Sequence, residues 1–405
     1  MKTCYLFDVD LIERHGHLQF PKVPNHALLK MTAYFKQKGY KVRLVWNEKL
    51  IPKVYDPNNL YIASCLLGQN RIRFKRRMKA VKGYKALKLE HIRLGTPLNH
   101  CPITDIPGLR CDYSEYDKAW ATGKLRMEYY PVNVGLMTRG CKRGCKFCVN
   151  RNRREIKRLD HLEDIYVKKG EMIRLLDDNL FASDYAVECF NEIAEFHKTH
   201  PNVRIQFECG IDARALPDDK LEALKGCLAP IEVLYVAWDD IKNSFLFKNI
   251  EKLSRTVKGT NTVLKCYVLY GDFVYTEEDL YKSLLGFFYR YHMLVRIGVT
   301  PSIQYFEDDR MKYKNPYPEI YNIIQRQYSF LKKGYQQGLY ERLPPGAVRV
   351  ADEIKEILGD FGFVTDKRID VLNRPTFNED FKKIAEEIGI KHYDVPEMYL
   401  KPIEV

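Results

Sequence analysis

Short runs of apolar residues recur along this chain, and the segments between them carry apolar residues every three or four positions. Tyr5-Leu6-Phe7-Asp8-Val9 is the first run and predicts a strand. Pro24-Asn25 then precede Leu28, Leu29, Met31, Tyr34 and Phe35, whose spacing marks the buried stripe of a helix, and Gly39 supplies its stop. Val42–Val45 and Leu60–Ser64 read as two more strands. This strand–helix–strand order over residues 1–130 argues for a small α/β domain with a parallel, doubly wound, Rossmann-like sheet. From 131 to 310 the rhythm becomes regular. Strands are predicted at Val132–Leu136, Met172–Leu176, Arg204–Glu208, Val233–Val236, Leu264–Leu269 and Ser302–Phe306. Ser183 opens an intervening helix to His197, Asp218 another to Lys225, and Thr276-Glu277-Glu278-Asp279 a third with acids in its first turn. Polar residues follow the apolar runs: Asp177-Asp178-Asn179, Glu208, Asp239-Asp240, Gly271-Asp272 and Glu307-Asp308. Residues 311–405 read as a mainly helical extension, with helices at Pro318–Lys332, Ala351–Leu358 and Asn378–Ile388 and a break at Pro344-Pro345-Gly346.

Composition narrows the class. The 405 residues suffice for two or three domains, and 45% hydrophobic with 29% charged residues is ordinary for a globular protein. No apolar run approaches membrane-spanning length, and Asp8 falls where a signal peptide needs an apolar core, so a cytoplasmic protein without a membrane partner is expected. The formal charge of +13 favours a polyanionic or phosphorylated partner, nucleic acid included. Much of it sits in Arg71–Lys88 and in a group formed by Lys142, Arg143, Lys146, Arg151, Arg153, Arg154, Lys157 and Arg158. The same cations equally suit a solvated helix face, or compensation of an anionic centre.

Eleven cysteines are present, and eight of them stand alone in a pattern that suits a reducing compartment rather than a disulfide framework. The other three form Gly140-Cys141-Lys142-Arg143-Gly144-Cys145-Lys146-Phe147-Cys148. Thiols separated by three and then two residues on a glycine-containing loop can turn onto one centre. Three thiolates would leave one iron of a [4Fe–4S] cluster open to a further ligand. A structural zinc is the alternative, but it is normally closed by a fourth Cys or His, and His161 lies outside that spacing. Three unligated buried cysteines are the remaining option.

At these residues the chain resembles the radical S-adenosylmethionine (SAM) superfamily, whose signature is C-x3-C-x2-C with an aromatic, here Phe147, before the last cysteine. The resemblance implies a partial (β/α)6 TIM-like barrel over 131–310. It also implies a [4Fe–4S] cluster on Cys141, Cys145 and Cys148, and SAM bound to the open iron. Reductive cleavage of SAM would yield a 5′-deoxyadenosyl radical that abstracts hydrogen from a substrate. A low-potential electron donor of flavodoxin or ferredoxin type is implied as partner. Asp177-Asp178-Asn179 resembles the D-D-N variant of the SAM-binding run after the second strand, and Glu208 to Arg214 resembles a further SAM-contacting segment. Phe147, Glu208, Arg214, Asp239 and Gly271 complete the expected cofactor contacts. Residues 1–130 are similar to the cobalamin-binding-type domain of one branch. That branch's D-x-H-x-x-G pattern is missing from Asp10-Leu-Ile-Glu-Arg-His15-Gly-His17, which argues against bound cobalamin, although His15 or His17 has the chemistry of a metal ligand. The competing class is a non-catalytic, zinc- or iron–sulfur-containing nucleic-acid-binding protein. The substrate and oligomeric state are not legible.

Overall fold

The computed structural model describes residues 2–13, 23–65, 68–80, 93–95, 102–125, 127, 130–145, 148, 154–168, 170–239, 242, 245–270, 276–305, 349–350, 352–353, 356–357 and 374–400. Two compact units result, Met1–Cys209 with Ala229–Glu232, and Gly210–Leu228 with Val233–Val405. The boundary expected near residue 130 falls inside the first.

The first unit begins with β1 (Thr3–Asp8), α1 (His26–Gln37), β2 (Lys41–Val45), β3 (Leu60–Ser64), α2 (Gly68–Ala80) and β4 (Arg93–Gly95). Its four strands pair in parallel in the order β2-β1-β3-β4, the doubly wound arrangement expected. Side-chain alternation divides β1 between two cores. Cys4 and Leu6 pack with Leu28, Leu29 and Met31 of α1, whereas Phe7 packs with Phe74 and Met78 of α2. The basic stretch after Arg71 therefore begins as an amphipathic helix, with Ile72, Lys75 and Arg76 exposed. The strand 93–95 was not anticipated, because three residues carry no legible alternation.

The first core continues beyond residue 130. Tyr113 and Tyr116, flanking the start of α3 (Ser114–Ala121), pack in it with Val132 and Val134. β5 (Asn133–Gly135) leads to a two-stranded antiparallel ribbon, β6 (Thr138–Arg139) and β7 (Lys157–Arg158). β8 (Met172–Leu175), α4 (Ala186–Thr199) and β9 (Arg204–Phe207) complete this unit, with β5-β8-β9 parallel. α4 starts later than expected: a 3-10 turn at Leu180–Ala182 intervenes, and Ser183 Oγ accepts from Tyr185 N.

Lys30 of α1 and Asp160, two residues beyond β7, form an ion pair of 2.7 Å whose side chains are 1% and 4% exposed. Burial pushes the Asp160 carboxyl above its ordinary range even though the ammonium opposes the shift. Lys30→Met leaves that carboxylate buried without its counter-charge, and is expected to cost about 3–5 kcal/mol, read as a lowered urea midpoint. A loss under about 1 kcal/mol would instead mean that water replaces the ammonium readily.

The second unit contains α5 (Asp218–Gly226), β10 (Val233–Ala237), α6 (Phe245–Val257), β11 (Val263–Tyr270), α7 (Glu277–Arg296), β12 (Thr300–Tyr305) and α8 (Phe377–Glu387). Its sheet is β10-β11-β12, all parallel. The six expected strands of 131–310 are thus present as two three-stranded parallel sheets, one per unit. Thr276 and Asp279 form the reciprocal capping box that opens α7. α5 begins at Asp218 as expected, but Pro217 occupies the cap position. α8 confirms one of the C-terminal helices; Pro318–Lys332 lies outside the described residues, and within Ala351–Leu358 the described residues 352–353 and 356–357 are helical. Among the described residues, no helix is long and apolar enough to cross a membrane.

Candidate functional site

Two antiparallel strands hold the cysteine loop at its base. Thr138 and Arg139 register against Arg158 and Lys157, so the residues between them form one excursion. Gly140 starts it at φ +109°, where a Cβ would overlap the Glu155 carbonyl oxygen. Only glycine makes both the turn and the close approach. Cys148 N donates to Cys145 O at 3.0 Å, closing a tight turn between the last two cysteines.

Asp177, Asp178 and Asn179, just beyond the C-terminal end of β8, run alongside the strand that enters this loop and hold it contact by contact. Asp177 accepts from Met137 N at 3.2 Å, Thr138 N at 2.5 Å and Thr138 Oγ1 at 2.7 Å. Asp178 accepts from Gly140 N at 2.9 Å and lies 3.5 Å from the Arg139 guanidinium. Asn179 accepts from Ala182 N and donates through Nδ2 to Cys141 Sγ at 3.3 Å. Arg143 N is a second donor to that sulfur, at 3.4 Å. The run therefore grips the loop itself, a role the sequence did not suggest.

Burial pushes the Asp177 carboxyl up from 3.8 to about 6, although its three donors oppose the shift. Its folded-state value exceeds its unfolded one, so its contribution to stability is fully present below the unfolded pKa and is lost as pH rises through about 6. Asp177→Ala strips three donors of their acceptor and is expected to cost about 2–4 kcal/mol. That cost should be larger at pH 4 than at pH 7.5, measured by urea unfolding at both. An equal cost at the two pH values would refute the linkage.

Glu208, beyond β9, is ion-paired with Arg174 at 2.8 Å, and Arg174 also donates to Gln206. Alternation puts Arg174 and Gln206 on one polar face of the β5-β8-β9 sheet, while Ile173, Leu175, Ile205 and Phe207 are buried. Cys209 comes next. Burial, and then the charges of Asp178, Asp177 and Glu208, push its thiol up to about 12. His26, at the start of α1, is driven down to about 3 by burial and by the charges of Lys30 and Arg139, and is neutral.

In the second unit the exposed Arg214 is ion-paired at 2.7 Å to the buried Asp212. Asp239 follows the buried Trp238 after β10, where its charge adds to the burial that raises the Cys266 thiol. Phe147, Gly271, His15 and His17 lie outside the described residues.

The first unit thus brings Asp177, Asp178 and Asn179 onto the strand and loop that lead to Cys141, Cys145 and Cys148, with Cys209 in the field of Asp178, Asp177 and Glu208. Sequence reading missed Arg139, Arg174, Cys209 and the Lys30–Asp160 pair. Arg174 did leave a signal, an arginine inside the otherwise apolar Met172-Ile173-Arg174-Leu175. The others left none, since their partners are distant in sequence.

Among the described residues, no three His, Cys, Asp or Glu side chains gather tightly enough to hold a single metal ion. A [4Fe–4S] cluster makes a different demand, because each thiolate binds its own iron at a separate corner of the cube. The donor chemistry fits such a group. The three motif thiols are half-exposed on a constrained loop, one of them already receives two N–H donors, and burial raises the thiols of Cys4, Cys111, Cys189, Cys227 and Cys266.

No protein-family model matches the chain, and no curated protein matches its sequence. Solved structures do. TsrM from Kitasatospora setae, a radical S-adenosylmethionine methyltransferase solved with tryptophan substrate and the SAM analogue aza-SAM, matches with a TM-score of 0.50. The match covers 71% of each chain at 10% identity. This chain is similar in fold to a radical SAM methyltransferase. TsrM with cobalamin and a [4Fe-4S] cluster matches at TM-score 0.49 and 11% identity over 75% of each chain. The apo cobalamin-dependent S-adenosylmethionine radical enzyme OxsB matches at TM-score 0.46 and 15% identity, over 88% of this chain and 61% of its own.

Proposed function

We propose that this chain is a radical SAM enzyme that holds a [4Fe–4S] cluster on Cys141, Cys145 and Cys148 and cleaves SAM reductively. The observation that carries the reading is the clasp of Asp177, Asp178 and Asn179 on the glycine-opened cysteine loop, in a chain whose fold is similar to that of a radical SAM methyltransferase. When bound, the cluster and SAM supply a 5′-deoxyadenosyl radical for hydrogen abstraction. The protein's own work is positional. Asp177 and Asp178 fix the strand entering the loop, and Asn179 and Arg143 N place donors on Cys141 Sγ. Arg174 is ion-paired with Glu208, one of the SAM contacts that the motif resemblance implies. Arg214, Asp239, Gly271 and Phe147 keep the SAM contacts that the motif resemblance implies. Cobalamin is not part of the reading, because the segment after β1 lacks D-x-H-x-x-G. The electron would come from a flavodoxin- or ferredoxin-type donor, and the substrate is assigned only as an organic molecule, with anionic ones favoured by the +13 charge.

Anaerobic reconstitution tests this directly. The protein should take up about four irons per chain, and reduction in the presence of SAM should release 5′-deoxyadenosine. One zinc per chain, no iron and no SAM cleavage would favour a metal-containing nucleic-acid-binding protein, whose retention on a polyanion should fall steeply with salt.

A further inference from the structure

We propose that Asn179 raises the reduction potential of the cluster by donating a hydrogen bond to one of its thiolates. The inference rests on the assignment of Cys141 as a cluster ligand. Within the clasp, side-chain chemistry changes with the partner. Asp177 and Asp178 face backbone N–H groups and supply acceptors, whereas the third position faces a sulfur, which calls for a donor. An amide meets that need and a carboxylate does not. The orientation of the amide is determined. Its Oδ1 accepts from Ala182 N at 3.2 Å, which turns Nδ2 toward Cys141 Sγ at 3.3 Å, and the residue is buried.

Reduction adds negative charge to a cluster and its thiolates. A donor on a ligating sulfur therefore stabilises the reduced state more than the oxidised one, and hydrogen bonds to cluster sulfurs are among the levers that set such potentials. Arg143 N, a second donor to this sulfur among the described residues, belongs to the backbone and persists in any side-chain variant. Asn179 is the part of this contact that substitution can change.

Two substitutions separate tuning from a merely structural role. Asn179→Ser keeps a side-chain cap for the turn that follows without adding charge, and Asn179→Asp keeps the cap with a charge. The Asp carboxylate has no donor, and the Ser hydroxyl, one bond shorter than the amide, caps the turn without reaching the sulfur. The full-length proteins are reconstituted anaerobically, their iron is measured, and the reduced cluster is followed by electron paramagnetic resonance during a redox titration. All three proteins should bind equal iron. At the potential where half of the wild-type clusters are reduced, the reduced-to-oxidised ratio should fall roughly threefold to tenfold in Asn179→Ser, and further in Asn179→Asp. Equal ratios in the three proteins overturn the proposal. Loss of iron from both variants also overturns it, since Asn179 would then only hold the loop. A wild-type protein that binds no iron sinks the cluster assignment together with this inference, and is distinguishable from either result.

Discussion

Replacing Cys145 with alanine is expected to lower bound iron from about four per chain to less than one and to end 5′-deoxyadenosine formation, with little change in fold. Cys145 lies in the middle of the loop, half-exposed, and its removal opens no core cavity. Two thiolates remain, too few to retain a cluster that must keep an open iron for SAM. Circular dichroism and the thermal midpoint separate this outcome from misfolding and should match the wild type. Full iron with undiminished SAM cleavage in the variant would show that the cluster is bound elsewhere.

Gly140→Ala should have nearly as large an effect without touching a ligand. Its φ of +109° is disfavoured for any residue with a Cβ, and the added methyl would overlap the Glu155 carbonyl on the returning strand. Backbone strain of this kind costs about 1–3 kcal/mol before the overlap is counted. Relief requires Gly140 or the Glu155 carbonyl to shift, and a shift of Gly140 disturbs both its N–H bond to Asp178 and the position of Cys141. The expected result is a folded protein with less than half of the wild-type iron after reconstitution. Wild-type iron would mean that the loop is not held at its base by the β6–β7 ribbon. Gly144→Ala is the milder comparison: the atoms nearest its Cβ belong to the end of the Arg154 side chain, which can move at the expense of its hydrogen bond to the Lys142 carbonyl, so most of the iron should be retained.

The cysteine loop, the parallel strands and the start of α7 at Thr276 were all legible in the sequence, because each depends on residues close together in the chain. Spacing alone identifies three thiols on one loop, and short apolar runs mark Val233–Val236 and Leu264–Leu269 as strands, within the observed Val233–Ala237 and Val263–Tyr270. The polar residues after those runs were legible as well, but their roles were not. Asp177-Asp178-Asn179 reads as a SAM-binding run, and nothing in the sequence signals that the run also holds Met137, Thr138, Gly140 and Cys141, nearly forty residues earlier. The ribbon of β6 and β7 was invisible because two-residue strands have no period.

What the chain determined by itself is therefore the chemistry on offer and the alternation of elements that carries it. Tertiary structure alone decided which of these groups meet, including the Lys30–Asp160 pair and the amide on Cys141 Sγ. The physical reason is range. Hydrophobic period and turn chemistry act over a few residues, while a buried carboxylate or thiolate is satisfied by whatever donor the packed strands bring within about 3 Å.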